Sequence, residues 1–179
     1  MIELKNPIQF MQVLPEIIKK GGAIMHRPTT PLVHLGLDND INEDYCKENN
    51  IPIFRVQRSG GAIVSNIGDF EFVVVDKNTD TKKIPPLFEK LIHLLVSKNV
   101  HIKIEDNDIL AEGYKVASYA YREVEGGIYT AMHISMSVNM ESIKNICKKE
   151  MKKIPKGLND FGITEEDIGG IINAIKKDN

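Results

Sequence analysis

Apolar residues recur at close to helical spacing over residues 7–20, at Ile8, Met11, Val13, Leu14, Ile17 and Ile18, and predict a helix. Pro15 lies inside this pattern. Without an N–H, and crowding the turn before it, it is expected to split or kink the helix, which Gly21 and Gly22 then end. Short apolar runs at 23–25 and 32–35 read as strands on either side of a loop. Asn42, Glu43 and Asp44 are the residue types that open a helix, expected to run to about Asn50, with Cys46 as a small buried residue. A strand through Ile51, Ile53 and Phe54, a second at 62–64 and a third at 70–76 follow, separated by the polar breaks 58–61 and 66–69.

Pro85 and Pro86 introduce a helix over 87–98 with seven apolar residues, too many for a narrow stripe, so it is expected to be well covered, with His93 half-buried among them. Residues 100–104 alternate as a strand. A hairpin is expected next, from strand 109–111 through a turn at Glu112-Gly113 to strand 114–122. After the turn at 125–127 comes a strand over 128–138, then an amphipathic helix over 141–153 with Ile143, Ile146, Cys147 and Met151 on its apolar side. Thr164 followed by Glu165, Glu166 and Asp167 caps a last helix to about Lys177. Strands and helices mix without strict βαβ alternation. The expected class is therefore α+β, a mixed, largely antiparallel sheet flanked by helices in a single domain over 1–179.

Composition narrows the function classes. With 179 residues, 42% hydrophobic, 27% charged and a net charge of -2, there is no general electrostatic drive toward nucleic acid or anionic membrane. No apolar run reaches the roughly 20 residues that span a bilayer, and the start M-I-E-L-K-N-P lacks the marks of a signal peptide. Two cysteines, Cys46 and Cys147, make no disulfide framework. The expected compartment is the cytoplasm, with neither nucleic acid nor membrane as partner.

Two stretches hold candidate chemistry. Arg58-Ser59-Gly60-Gly61 between strands is either a hairpin turn with a solvated arginine or a backbone cradle that admits an anionic or flat ligand. Lys115, one residue past a hairpin turn, is either a solvated lysine near a sheet edge or a fixed cation aimed at a phosphate or a polarised carbonyl.

In this order and spacing, Arg58-Ser59-Gly60-Gly61-Ala62-Ile63, closed by Gly68-Asp69, and Asn107-Asp108 through Gly113-Tyr114-Lys115-Val116-Ala117-Ser118 resemble two segments of the lipoate–protein ligase and octanoyltransferase family, relatives of the biotin ligases. The strand P-L-V-H-L-G-L and the C-terminal G-L-N-D-F-G-I-T-E-E-D are also similar to that family. The resemblance implies a sheet flanked by helices that holds an acyl chain in an apolar tunnel. Arg58, Ser59, Gly60, Gly61, Ala62 and Ile63 would line the acyl and nucleotide site, and Lys115 would be the essential lysine on the acyl carbonyl or acyl-adenylate. Asn107 and Asp108 would lie near the nucleotide, Asp108 also near a metal, and Ser118 would complete the substrate site. Ser65 stands where the family has a histidine, and His133 lies near, but not at, another.

Three readings follow. In the first, ATP with magnesium activates lipoate or octanoate, which passes to a lysine of a lipoyl carrier domain. In the second, a cysteine thiolate takes octanoate from acyl carrier protein without ATP; no cysteine sits at the transferase position, and Cys147 is the nearest. In the third, a non-catalytic relative binds an acyl group, a nucleotide or a carrier domain.

Overall fold

The longest alternating stretches of the chain pair with one another, and their alternation decides which residues face which layer. The computed structural model describes residues 2–4, 7–37, 41–55, 62–77 and 84–178. In chain order the elements are β1 (Ile2–Leu4), α1 (Pro7–Lys20), β2 (Gly22–His26), β3 (Leu32–Leu35), α2 (Glu43–Glu48), β4 (Ile53–Arg55), β5 (Ala62–Ser65) and β6 (Phe70–Asp76). There follow α3 (Pro86–Ser97), β7 (Ile102–Glu105), β8 (Asp108–Ala111), β9 (Tyr114–Val124), β10 (Gly127–Ile134), α4 (Met140–Ile146), a 3₁₀ turn at Leu158–Phe161 and α5 (Glu165–Asp178).

Seven strands form one sheet in the order β1-β2-β6-β10-β9-β8-β7, and β4-β3-β5 form a smaller one. Among the described strands, only β1–β2 and β3–β4 pair in parallel. The α+β architecture with a largely antiparallel sheet is thus as expected. On one face of the large sheet Met25, Phe72, Met132 and Tyr119 pack with Leu87, Phe88, Leu91 and Leu95 of α3 and Ile168 and Ile172 of α5. The other face is shared. Phe10, Val13, Leu14 and Ile17 of α1 cover Ile24, Val73 and Val75. The small sheet packs with α2 and α4 through Val33, Leu35, Cys46 and Ile146. Burial of side chains of this size, roughly 1.5–3 kcal/mol each, is the main force holding the layers together.

Several elements depart from expectation. α1 is one helix through Pro15, which packing of its apolar side on β2 sustains. α3 buries one stripe only; Val96 is 56% exposed and His93 is exposed, because one face meets the sheet and α5 while the other meets solvent. β10 stops at Ile134, where the next two N–H groups leave the ladder for the Val116 carbonyl and the Asp69 carboxylate. α4 stops at Ile146 instead of Lys153. Continuing it would set Lys148 over Lys152 and Lys149 over Lys153 at like-charge i,i+4 spacing, and the segment finds tertiary pairing elsewhere.

Candidate functional site

One lateral row of the large sheet is polar. Across the strands His26 pairs with Glu71, Glu71 with His133, His133 with Ser118, and Ser118 with Asp108. Cross-strand partners share a face, so these five side chains lie on the side that carries α1 and the small sheet. The row runs along the seam between those two covers. At each end a carboxylate organises its neighbours.

At the inner end, Glu71 is 6% exposed and His26 fully buried. Glu71 Oε2 lies 2.5 Å from His26 Nδ1 and Oε1 lies 2.8 Å from His34 Nε2. Ser65 Oγ donates to Oε1 as well. Burial alone would raise the Glu71 carboxyl, but His34, His26 and His133 outweigh it and hold the group well below the usual carboxylate range. Since His34 and Ser65 belong to the small sheet, this cluster ties the two sheets together. Ser65, at the position of the family histidine, is thus a buried partner of Glu71. A second buried carboxylate, Asp69, accepts from the backbone N–H groups of Asn66 at 2.8 Å and Met136 at 2.7 Å, and lies 3.2 Å from His133 Nε2.

At the outer end, Asp108 holds two lysines: Oδ1 is 2.9 Å from Lys115 Nζ and Oδ2 is 3.0 Å from Lys153 Nζ. Strict alternation would point Lys115 to the face opposite Ser118. A bulge prevents this. Ile109 pairs with Ala117 and Leu110 with Lys115, so Val116 has no opposite number and both Val116 and Ala117 turn into the core. The extra residue returns Lys115 to the face of Asp108. Lys115 also anchors the segment after α4: its N–H donates to the Ile154 carbonyl at 2.9 Å and its carbonyl accepts from Lys156 at 3.0 Å. This docking carries Lys153 to Asp108 and to the Glu105 carbonyl, 2.8 Å from its Nζ.

Between the small sheet, β9 and the docked segment lies a cleft of about 150 Å³. Ala62, Ile63 and Val64 form one apolar wall and Val138, Ile143, Cys147 and Met151 another. Lys115, Lys153, Ser118 and His133 bring polar atoms to it. Of the residues expected from sequence, Ala62, Ile63, Lys115 and Ser118 meet in this cleft, and Asp108 joins them through the lysines. Asn107 does not. It occupies the β7–β8 turn with φ +65°, exposed, and its carbonyl accepts from Tyr119 N–H at 3.0 Å. Arg58, Ser59, Gly60 and Gly61 lie outside the described residues. Sequence reasoning missed Glu71, although a carboxylate within F-E-F-V-V-V was a signal of a buried, partnered acid. It missed Lys153 because the helix expected over 141–153 put it on a solvated face.

The family described as lipoyl protein ligase A/B catalytic domain matches residues 24–165. A lipoate–protein ligase of Streptococcus pyogenes serotype M5 (strain Manfredo) is 26% identical over 119 residues, 64% of this chain and 35% of that protein. The chain therefore spans about a third of the length of this relative. Among solved structures, P. falciparum LipL1 in complex with lipoate superposes with a TM-score of 0.77 at 14% identity, covering 96% of this chain and 56% of that one. Lipoate-protein ligase A bound with ATP gives 0.73 at 17% identity, covering 96% and 80%. Those likenesses concern the fold, while the match over 24–165 takes in the row, the bulge and both walls of the cleft; the chain belongs to the lipoyl protein ligase A/B catalytic domain family.

Proposed function

We propose that the cleft binds lipoate or octanoate, that ATP activates the acid there, and that the acyl group passes to a lysine of a lipoyl carrier domain. The observation that carries this reading is the Lys115 ammonium, turned by the bulge into a cleft with apolar walls. Such walls suit an acyl chain, and a fixed ammonium at their edge suits the acyl carbonyl or the acyl-adenylate, where negative charge gathers as the bond to the leaving group changes. Ser118 and the backbone beside Ala62 and Ile63 would orient the acyl head.

Asp108 does not fit a resident metal ion. Both its oxygens already accept from lysines, and among the described residues no group of three or more His, Cys, Asp or Glu side chains is arranged to hold one. Magnesium in this reading arrives with ATP as part of the substrate, as befits an ion that favours phosphate oxygens and water.

The test is to incubate the protein with lipoate, ATP, magnesium and an apo lipoyl carrier domain and to follow the carrier's mass. A lipoyl increment is expected, slowed about 100- to 1,000-fold by Lys115→Ala, the range for loss of one preorganised donor. No increment with any carrier would sink the reading. The octanoyltransferase alternative draws on Cys147, which lines the same cleft. Burial, with Cys46 beside it, pushes the Cys147 thiol up and away from the thiolate that such chemistry needs. Transfer from octanoyl carrier protein without ATP, lost in Cys147→Ser, would reverse this ranking.

A further inference from the structure

We infer that Lys153 is a second ligand-binding cation of the cleft, paired with Lys115 to grip one anionic group, and that Asp108 is the holder that anchors both. The inference rests on the reading of the cleft as the acyl-adenylate site and names how that site takes its anion.

Two ammonium groups take the two oxygens of one carboxylate, at 2.9 and 3.0 Å from Asp108, so a single side chain anchors both. Two ammonium groups anchored on one carboxylate can donate together to the oxygens of a phosphate or an acyl phosphate. Both lysines line the cleft. Against two positive charges stands one well-placed negative one; Asp106 lies 3.5 Å from Lys153 but its side chain is 86% exposed, so water screens it. The pair thus leaves the cleft with an excess of positive charge. Donors remain as well. Among the described residues Lys115 Nζ has Asp108 as its partner, which leaves two N–H groups to give. Lys153 gives one to the Glu105 carbonyl and one to Asp108, and its third faces only Asp106.

Lys153 is not on a loose tether. The hydrogen bonds of Lys115 to Ile154 and Lys156 fix the chain on both sides of Pro155. Two residues on, Gly157 passes so close to the Met136 carbonyl that a Cβ would stand 2.4 Å from its oxygen. Any side chain there would push the segment off its seat. Burial works against the Lys153 charge, but the Asp108 and Asp106 carboxylates together outweigh it, so the ammonium is retained.

Calorimetric titration of the full chain with inorganic pyrophosphate and, separately, with lipoyl adenylate, each at two salt concentrations, tests this. Lys153→Met is expected to weaken both about 10- to 100-fold, the usual worth of a hydrogen bond to a charged group, and to flatten the salt dependence. Lys153→Arg should lose less affinity than Lys153→Met, because it keeps a charged donor for the anion. Lys153→Gln, which keeps a donor for the Glu105 carbonyl, gives the same readout should methionine loosen the segment. Folded Met and Gln variants that bind both probes as the parent does would overturn the inference and leave the ligase reading intact. Pyrophosphate binding that needs Lys153, with no binding of lipoyl adenylate, would support the anion pair while the ligase reading falls.

Discussion

The two ends of the polar row are built from the same parts and put to different use. Each sets one carboxylate between two nitrogen-bearing side chains: Glu71 between His26 and His34, Asp108 between Lys115 and Lys153. The Glu71 station is sealed by Phe10, whose ring centroid is 5.7 Å from that of His26, and by the small sheet. The Asp108 station opens on the cleft, with the Lys115 side chain 33% exposed. A sealed carboxylate cannot exchange its partners for water, so it fixes architecture. An open one can give up its partners to an incoming anion, so it can serve binding.

Breaking each station should therefore have unequal effects. Glu71→Gln removes the carboxylate that binds His26, His34 and Ser65 in a sealed site and is expected to cost about 1–3 kcal/mol, read by urea unfolding at pH 7. Acid should produce a smaller, graded version of this loss. The Glu71 carboxyl is held below its ordinary value of 4.5, so its contribution is complete above about pH 4.5 and fades as pH falls below it. The stability gap between parent and Glu71→Gln should narrow over that range; a gap constant down to pH 3 would show that the charge is not what matters. Asp108→Asn should have the smallest effect, about 1 kcal/mol or less, because two lysines at an open cleft regain water. Equal losses for Glu71→Gln and Asp108→Asn would erase the distinction between the stations.

Local pattern made most of the fold legible. β6 runs over Phe70–Asp76 as the apolar run predicts, and the Glu112-Gly113 hairpin forms with φ of +49° and +81° at its turn. Thr164 caps α5 as read, its Oγ1 accepting from Asp167 N–H while Asp167 accepts in return. What escaped was set by distant partners. The lysine-rich stretch after Ile146 has helical periodicity, yet through Ile154 and Lys156 it pairs with Lys115, a residue far earlier in the chain. Lys115 and Ser118 were singled out through the resemblance carried by residues 107–118, and both line the cleft. Glu71, His26 and His34 come together only because strands remote in sequence align in register. No short window holds that information.

The bulge at Val116 has a consequence for how this protein can vary. Side-chain direction along β9 is a matter of odd and even, and Val116 acts as a parity bit between Ala117 and Lys115. Removing that one residue would leave the regular ladder Ile109–Ala117 and Leu110–Lys115 with Lys115 still on the face of Asp108, whereas drawing Val116 into the ladder would turn Lys115 away. In this strand the pairing register, as much as the identity of the residues, encodes the site, because Lys115 faces Asp108 only while it pairs with Leu110.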